Sequence, residues 1–382
     1  MIRRRAWLEA IESLWSQKSV LWLSGVRRIG KTILAKELRD TEYFNCDLPS
    51  TRKQLEDPEF FLHNRAVPGR IVLDEIHRLD DPSSLLKIAA DEFPLLRILA
   101  TGSSTLDATR KFRDNLAGRK RMLLLSPVLW NECADFGIAD IDRRLLHGGF
   151  PEMLLASAPD PDFFQDWLDS FYARDIMELF GIRNRIGFMS LLRLLLHRSG
   201  GLLDVTDLSK ESGLSRPTVL AHLEALEISH AIVRVSPWAG GGSREIVRRP
   251  RMYGFDTGIV AHVRGWRDIR DTDRGHLWEH LVLDELRFRF PEVAPRYWRD
   301  KSGREIDFVL DRGPGGVDTV EAKIQPDAFN PQHLKVFRSL YAAGRNYVVS
   351  PHVKKAYSLK RNGMEVTICR PHEIPGGRNP GS

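Results

Sequence analysis

The chain has 382 residues, 42% of them hydrophobic and 28% charged, with a formal net charge of +6. That is the balance of a soluble globular protein too long for one compact core, so about two or three domains are expected, and no apolar run approaches the roughly 18 residues of a membrane span. The mild basicity permits nucleic acid as a partner without requiring it, while Cys46, Cys133 and Cys369 lie far apart with no CxxC pair, which argues against a zinc knuckle or a disulfide framework and fits a reducing cytoplasm.

In chain order, MIRRRAWLEAIESLW has the pattern of an amphipathic helix; Glu9 and Glu12 break the apolar run that a signal peptide would need. Short apolar runs then alternate with helical patterns up to about residue 130. SVLWLS, RIVLDE and LRILATGSS read as strands, the signature of a parallel sheet covered by helices.

Between the first strand and the next helix stands GVRRIGKT, with the GxxxxGK[ST] spacing at Gly25, Gly30, Lys31 and Thr32. In that context the backbone of Gly25, Val26, Arg27, Arg28, Ile29 and Gly30, continuing into Lys31, Thr32 and Ile33, can wrap phosphate groups. Lys31 would reach the β- and γ-phosphates and Thr32 would hold magnesium, so ATP and Mg2+ are the expected cofactors. The bland alternative, a glycine turn beside a surface lysine, does not call for a strand before it and a helix after it.

RIVLDEIHRL ends a strand in Asp74, placed to hold magnesium, and Glu75, placed to polarise the attacking water. RILATGSST ends in polar residues where a γ-phosphate sensor would sit, with Ser103 the candidate and Thr101 the alternative; a helix-capping serine explains either equally well.

Together with LAGRKRMLLLSPVLWNE and HGGFPEML, these residues resemble the AAA-type ATPases that carry a DUF4143-like C-terminal region. The resemblance covers nearly the whole chain. It implies an α/β fold: a RecA-like P-loop ATPase core (1–135), a helical lid and connector (136–200), a winged helix-turn-helix domain (201–265) and a C-terminal α/β nuclease-like domain (266–372), ahead of a disordered tail (373–382). It also implies a homo-oligomeric ring such as a hexamer. Arg119 would then be an arginine finger or sensor, unless Arg119, Lys120 and Arg121 are only a basic surface run. Arg174 in YARDI is a candidate second sensor on the lid, and GGFPE is expected to be a turn at the lid boundary.

TDLSKESGLSRPTVLAHLEALEISHAIVRV reads as a helix, a turn at Gly213 and a second helix from Ser215. Thr206 and Ser215 are the expected caps, and Leu208, Leu214, Val219, Leu223 and Leu226 the buried stripe. Arg216, Thr218 and His222 at the start of the second helix are residue types that reach a DNA groove. Arg244, Arg248, Arg249 and Arg251 add basic charge nearby, although charge runs usually face solvent. The alternative is a packing or partner-binding module, because fold does not fix function.

At the C-terminal end, GHLWEHLVLDELRFRF is an amphipathic helix bearing Glu279. YWRDKSGREIDFVLDR is a hairpin that turns at Ser302–Gly303 and carries Asp307, and VDTVEAKIQ is a third strand. Glu321 and Lys323 lie two apart and so share one face of it. Asp307, Glu321 and Lys323 are expected to converge, with Glu279 as a fourth member. Carboxylates can hold magnesium, and a lysine beside them can activate water. The order helix-Glu, strand-Asp, ExK resembles the PD-(D/E)xK nucleases, but no tyrosine stands four residues after Gln332. The competing expectation is a nuclease-like fold that only binds DNA or a protein partner.

Overall fold

A computed structural model describes residues 2–65, 67–102, 110–240 and 249–378. Five parallel strands, β1 (Val20–Ser24), β2 (Glu42–Asn45), β3 (Gly69–Asp74), β4 (Leu96–Thr101) and β5 (Lys120–Leu124), lie in the order β2-β3-β4-β1-β5. Alternation along β1 sends Val20 and Trp22 to one apolar cluster and Leu21 and Leu23 to the other, so both faces of the sheet are covered. The two edge strands, β2 and β5, were not legible as strands: EYFN and KRMLL carry polar residues on their exposed sides.

Helices follow at Ile141–His147, Pro151–Leu155 and Pro161–Phe171. The last of these continues as a π-helical turn, Tyr172–Met177, before the helix Arg185–His197. The helices Val205–Ser212 and Arg216–Ile228 then precede an antiparallel pair, β6 (Ile232–Val235) and β7 (Arg251–Gly254). Asp204, not Thr206, caps the first of these helices by accepting from the Thr206 and Asp207 amides, since its carboxylate is the stronger acceptor; Ser215 caps the second.

The C-terminal strands β8 (Arg296–Arg299), β9 (Glu305–Asp311), β10 (Val317–Ala322), β11 (Asn346–Val349), β12 (Tyr357–Arg361) and β13 (Met364–Cys369) form a mixed sheet, ordered β12-β13-β11-β10-β9-β8. The long helix Asp271–Arg289 packs on it, with Trp278 fully buried and its indole N–H donating to the Val349 carbonyl at 3.1 Å. Part of the expected tail is anchored: Arg289 donates to the carbonyls of Ile374 and Arg378, because a buried guanidinium needs acceptors.

One apolar cluster runs from Trp7 through Leu145, Trp167 and Leu223 to Leu286 and Val349. GGFPE is more than a boundary turn. The Gly149 amide donates to Asp256 at 2.6 Å, and a Cβ at Gly148 would fall 2.1 Å from an Asp256 oxygen. Arg144, wholly buried, donates to the Val128 carbonyl at 2.8 Å and to Thr257 at 3.0 Å.

Glu285 reaches from the C-terminal helix to the Asn131 amide at 3.0 Å, and burial pushes its pKa up to about 7. The folded state therefore keeps a proton that the unfolded state releases near its ordinary pKa. Stability from this group is fully present below about pH 4.5 and is lost as pH rises through about 7. Glu285→Gln is expected to flatten that loss, leaving the variant more stable than the parent at pH 8 by about 1–3 kcal/mol and little changed at pH 4.5; urea titrations at both pH values check this.

Candidate functional site: a phosphate-loop cavity and a buried charge cluster

The GxxxxGK[ST] loop leaves the C-terminal end of β1 as the sequence requires. Gly25 has φ +143° and a Cβ there would meet the Leu125 carbonyl at 2.7 Å, so only glycine fits; Gly30, at φ +100°, starts the helix Lys31–Lys36. The loop lines a cavity of about 740 Å³ together with Lys31, Thr32, Ile33, Glu75, Arg174 and Asp175. Lys31 folds back over the loop, its ammonium 2.8 Å from the Gly25 carbonyl and 3.0 Å from that of Val26. Burial lowers its pKa, while Glu75 and Asp175 oppose that shift. Arg28 lies over the Phe163 ring at 5.0 Å, and Ile29 is fully buried, so it offers the cavity no side chain.

Glu75 sits in a left-handed conformation, φ 56°, which turns its carboxylate away from the strand line and into the cavity. It stands 3.2 Å from His77 Nδ1, whose pKa burial pushes down to about 4. Burial raises the pKa of Glu75 and Lys31 opposes it. Asp74 is fixed behind it: the Tyr43 hydroxyl donates to one oxygen at 2.6 Å and the Thr101 hydroxyl to the other. Thr101 is thus fully buried and engaged with Asp74 rather than open to the cavity; Ser103 lies outside the described residues. Thr32 at the cavity and Asp74 behind it offer oxygen donors of the kind magnesium takes, and Asp74 does not line the cavity itself. Arg119 precedes β5, whose Lys120 pairs with Val20 at the start of β1. It therefore lies a strand length, roughly 16 Å, from its own phosphate loop, and it holds Asp91 at 2.6 Å.

In the C-terminal sheet Asp307, Glu321 and Lys323 converge. The Lys323 ammonium is 2.7 Å from both carboxylates, and Asp307 also accepts from the Ala322 amide at 2.9 Å. Burial acts to raise the pKa of Asp307, but Lys323 and that amide outweigh it and hold the acid low. Burial and the Asp307 charge push Glu321 up. Burial, and after it the nearby Asp307 charge, push the pKa of Glu279 up to about 7, but its carboxylate is bonded elsewhere. Arg251, buried on β7, takes it at 2.5 Å and also bonds Glu305, and the Tyr253 hydroxyl donates to Glu279 as well. Among the described residues no three His, Cys, Asp or Glu side chains are arranged to hold a metal ion. Of the expected constellation, Asp307, Glu321 and Lys323 meet directly, and Glu279 stands beside Asp307 with Arg251 as its partner, so two cations of the chain itself face the three carboxylates. Arg251 was the residue the sequence hid, because one arginine in a basic run carries no sign that it is buried.

On the second helix of the middle region, Arg216 is exposed and donates to Thr206 at 2.9 Å, and the Thr218 hydroxyl bonds Ser215 at 2.8 Å. His222 is buried, 5% exposed, with its ring edge-on to Phe188 at 5.3 Å, so it does not face a groove. It lies on the inner side of its helix, one turn from Val219 and Leu226. Arg244 and Arg248 lie outside the described residues, and Arg249 is tied to Asp204 at 2.8 Å.

Residues 17–134 match the family described as an AAA domain, residues 138–270 a domain of unknown function, DUF8612, and residues 274–368 another, DUF4143. The chain is similar to uncharacterized proteins of Mycobacterium tuberculosis and Mycobacterium bovis. Each is 27% identical over 323 residues, which is 81% of this chain and 72% of that relative. Among solved structures, the Walker-type ATPase of Pyrococcus abyssi superposes on 69% of this chain and 96% of its own, with 17% identity and a TM-score of 0.45. Among the described residues no helix is long and apolar enough to cross a membrane.

Proposed function

We infer, from a chain that carries an AAA domain followed by a DUF4143 region, that it is a P-loop ATPase whose Mg2+-dependent turnover drives work on DNA. The observation that carries the ATPase part is the single cavity shared by the phosphate loop, Lys31, Thr32 and Glu75. There Lys31 would exchange the Gly25 and Val26 carbonyls for phosphate oxygens, and Glu75 would take the proton of the attacking water. Magnesium, held by Thr32 and through Asp74, would offset phosphate charge. DNA is proposed as the polymer because Arg216 and Thr218 stand at the open start of a helix in a helix-turn-helix arrangement and the chain is basic. The deciding assay is ATP turnover with and without single-stranded, duplex and branched DNA. Several-fold stimulation that fades with salt is expected, and none would sink the DNA reading.

A second reading has a specific observation behind it. Lys323 already satisfies Asp307 and Glu321, as in a nuclease-like module that binds without cutting, and the chain would then remodel a protein partner. Cleavage of DNA with Mg2+ or Mn2+ that disappears in Glu321→Ala would overturn that alternative.

Arg119 cannot reach its own phosphate loop, so we assign it to the site of a neighbouring copy in a homo-oligomer. Arg119→Ala is expected to keep MgATP affinity and lose turnover by about 10³-fold. Mixed with Lys31→Ala in a co-assembled oligomer, it should recover part of the rate; a mixture that co-assembles and stays inactive would show that the arginine does not act in trans.

A further inference from the structure

The phosphate loop is tied to the lid at one residue by two bonds. Asp175, on the π-helical turn Tyr172–Met177, holds the Arg27 guanidinium at 2.6 Å, and the Trp167 indole, about two turns of helix earlier, donates to the Arg27 carbonyl at 3.1 Å. Asp175 is 9% exposed at the side chain and Arg27 31% exposed, and both line the 740 Å³ cavity together with Lys31 and Arg174. Asp175 is also close enough to Lys31 to favour its charged form. A carboxylate in a phosphate cavity is unfavourable for any polyphosphate, since like charges in a partly desolvated site repel. Its presence calls for a role, and the π-turn that positions it is a backbone form concentrated at functional sites.

We propose that Asp175 is the resident counter-ion of the phosphate site: it holds Arg27 until nucleotide arrives, and the phosphates of a nucleoside di- or triphosphate displace it. This deepens the ATPase reading and rests on it. Before nucleotide binds, the positive charge of Arg27 and Lys31 is balanced by Asp175 and Glu75 and by loop carbonyls. On binding, the phosphates replace Asp175 as the partner of Arg27. The bond from lid to loop then breaks on the Asp175 side, while the Trp167 bond to the backbone stays. Loop occupancy is thereby communicated to the segment that carries Arg174, and Asp175 sets how strongly phosphates must compete. It is a positioning residue, because it acts through Arg27.

The test is equilibrium binding of MgATP, MgADP and adenosine to the full chain and to three variants. Asp175→Asn is nearly isosteric, frees Arg27 and removes one negative charge, and should tighten MgADP and MgATP about five- to tenfold while leaving adenosine unchanged. Arg27→Gln breaks the same bond but removes the cation, and should weaken both nucleotides by a similar factor. Asp175→Glu keeps the charge and should stay within about twofold of the parent. If the bond were only a brace for the loop, both bond-breaking variants would weaken binding; that shared direction, or an equal effect on adenosine, would overturn the inference while leaving the ATPase reading intact. Failure of the parent protein to bind either nucleotide would overturn the ATPase reading itself and this inference with it.

Discussion

Lys31→Ala is expected to weaken MgATP binding by at least about a hundredfold, to below detection in an ordinary binding assay, while Glu75→Gln binds MgATP as the parent does and turns it over about 10²–10⁴-fold more slowly. The two variants separate two tasks performed in one cavity. Lys31 is the ammonium folded against the Gly25 and Val26 carbonyls, and among the described residues no other lysine lines that space. Without it the phosphate charge loses the ammonium set in the loop itself, leaving the arginines of the cavity. Glu75 is turned into the cavity by its left-handed backbone, and burial has already raised its pKa, which makes it a better base than a solvated carboxylate. The amide in Glu75→Gln keeps shape and hydrogen bonding but cannot accept a proton. Equilibrium binding of a fluorescent nucleotide together with phosphate release gives both numbers. Parental turnover by Glu75→Gln would remove that residue from the reaction.

Lys323→Met is expected to cost about 3–5 kcal/mol of stability near pH 8, because it leaves Asp307 and Glu321 facing each other in a buried site with no cation between them. The sign with pH follows from the same geometry. Removing the lysine raises the folded-state pKa of Glu321 beyond its already elevated position. The folded variant then holds a proton that the unfolded chain has released, so it regains stability as pH falls toward 5. Urea unfolding at pH 5 and pH 8, read against the parent, measures this. A loss that does not shrink at low pH would mean that lost packing, not unpaired charge, is the cause. A stable Lys323→Met protein at pH 8 would mean that the carboxylates have another partner.

The phosphate site was legible because its signals are local. Gly25 and Gly30 are required by their own backbone angles, Lys31 and Thr32 by their distance along the chain from those glycines, and Asp74 and Glu75 by ending a run of apolar strand residues. The same holds for Asp307, Glu321 and Lys323, since β9 and β10 pair antiparallel across a short connection at Gly313–Gly315 and a two-residue period puts Glu321 and Lys323 on one face. Edge strands β2 and β5 were not legible, because a strand buried on one side carries a diluted apolar pattern.

What the sequence by itself determined is therefore the phosphate loop, the parallel α/β core around it and the pairing of Lys323 with two carboxylates. Only the tertiary structure decided that Asp175 holds Arg27 across 148 residues, that Arg251 takes Glu279 from 28 residues away, and that His222 turns inward onto Phe188. An ion pair between distant residues leaves no spacing to read. Its partners are brought together by how the apolar faces of separate segments bury one another, and the charged groups must then find each other because a buried charge without a partner is too costly to keep.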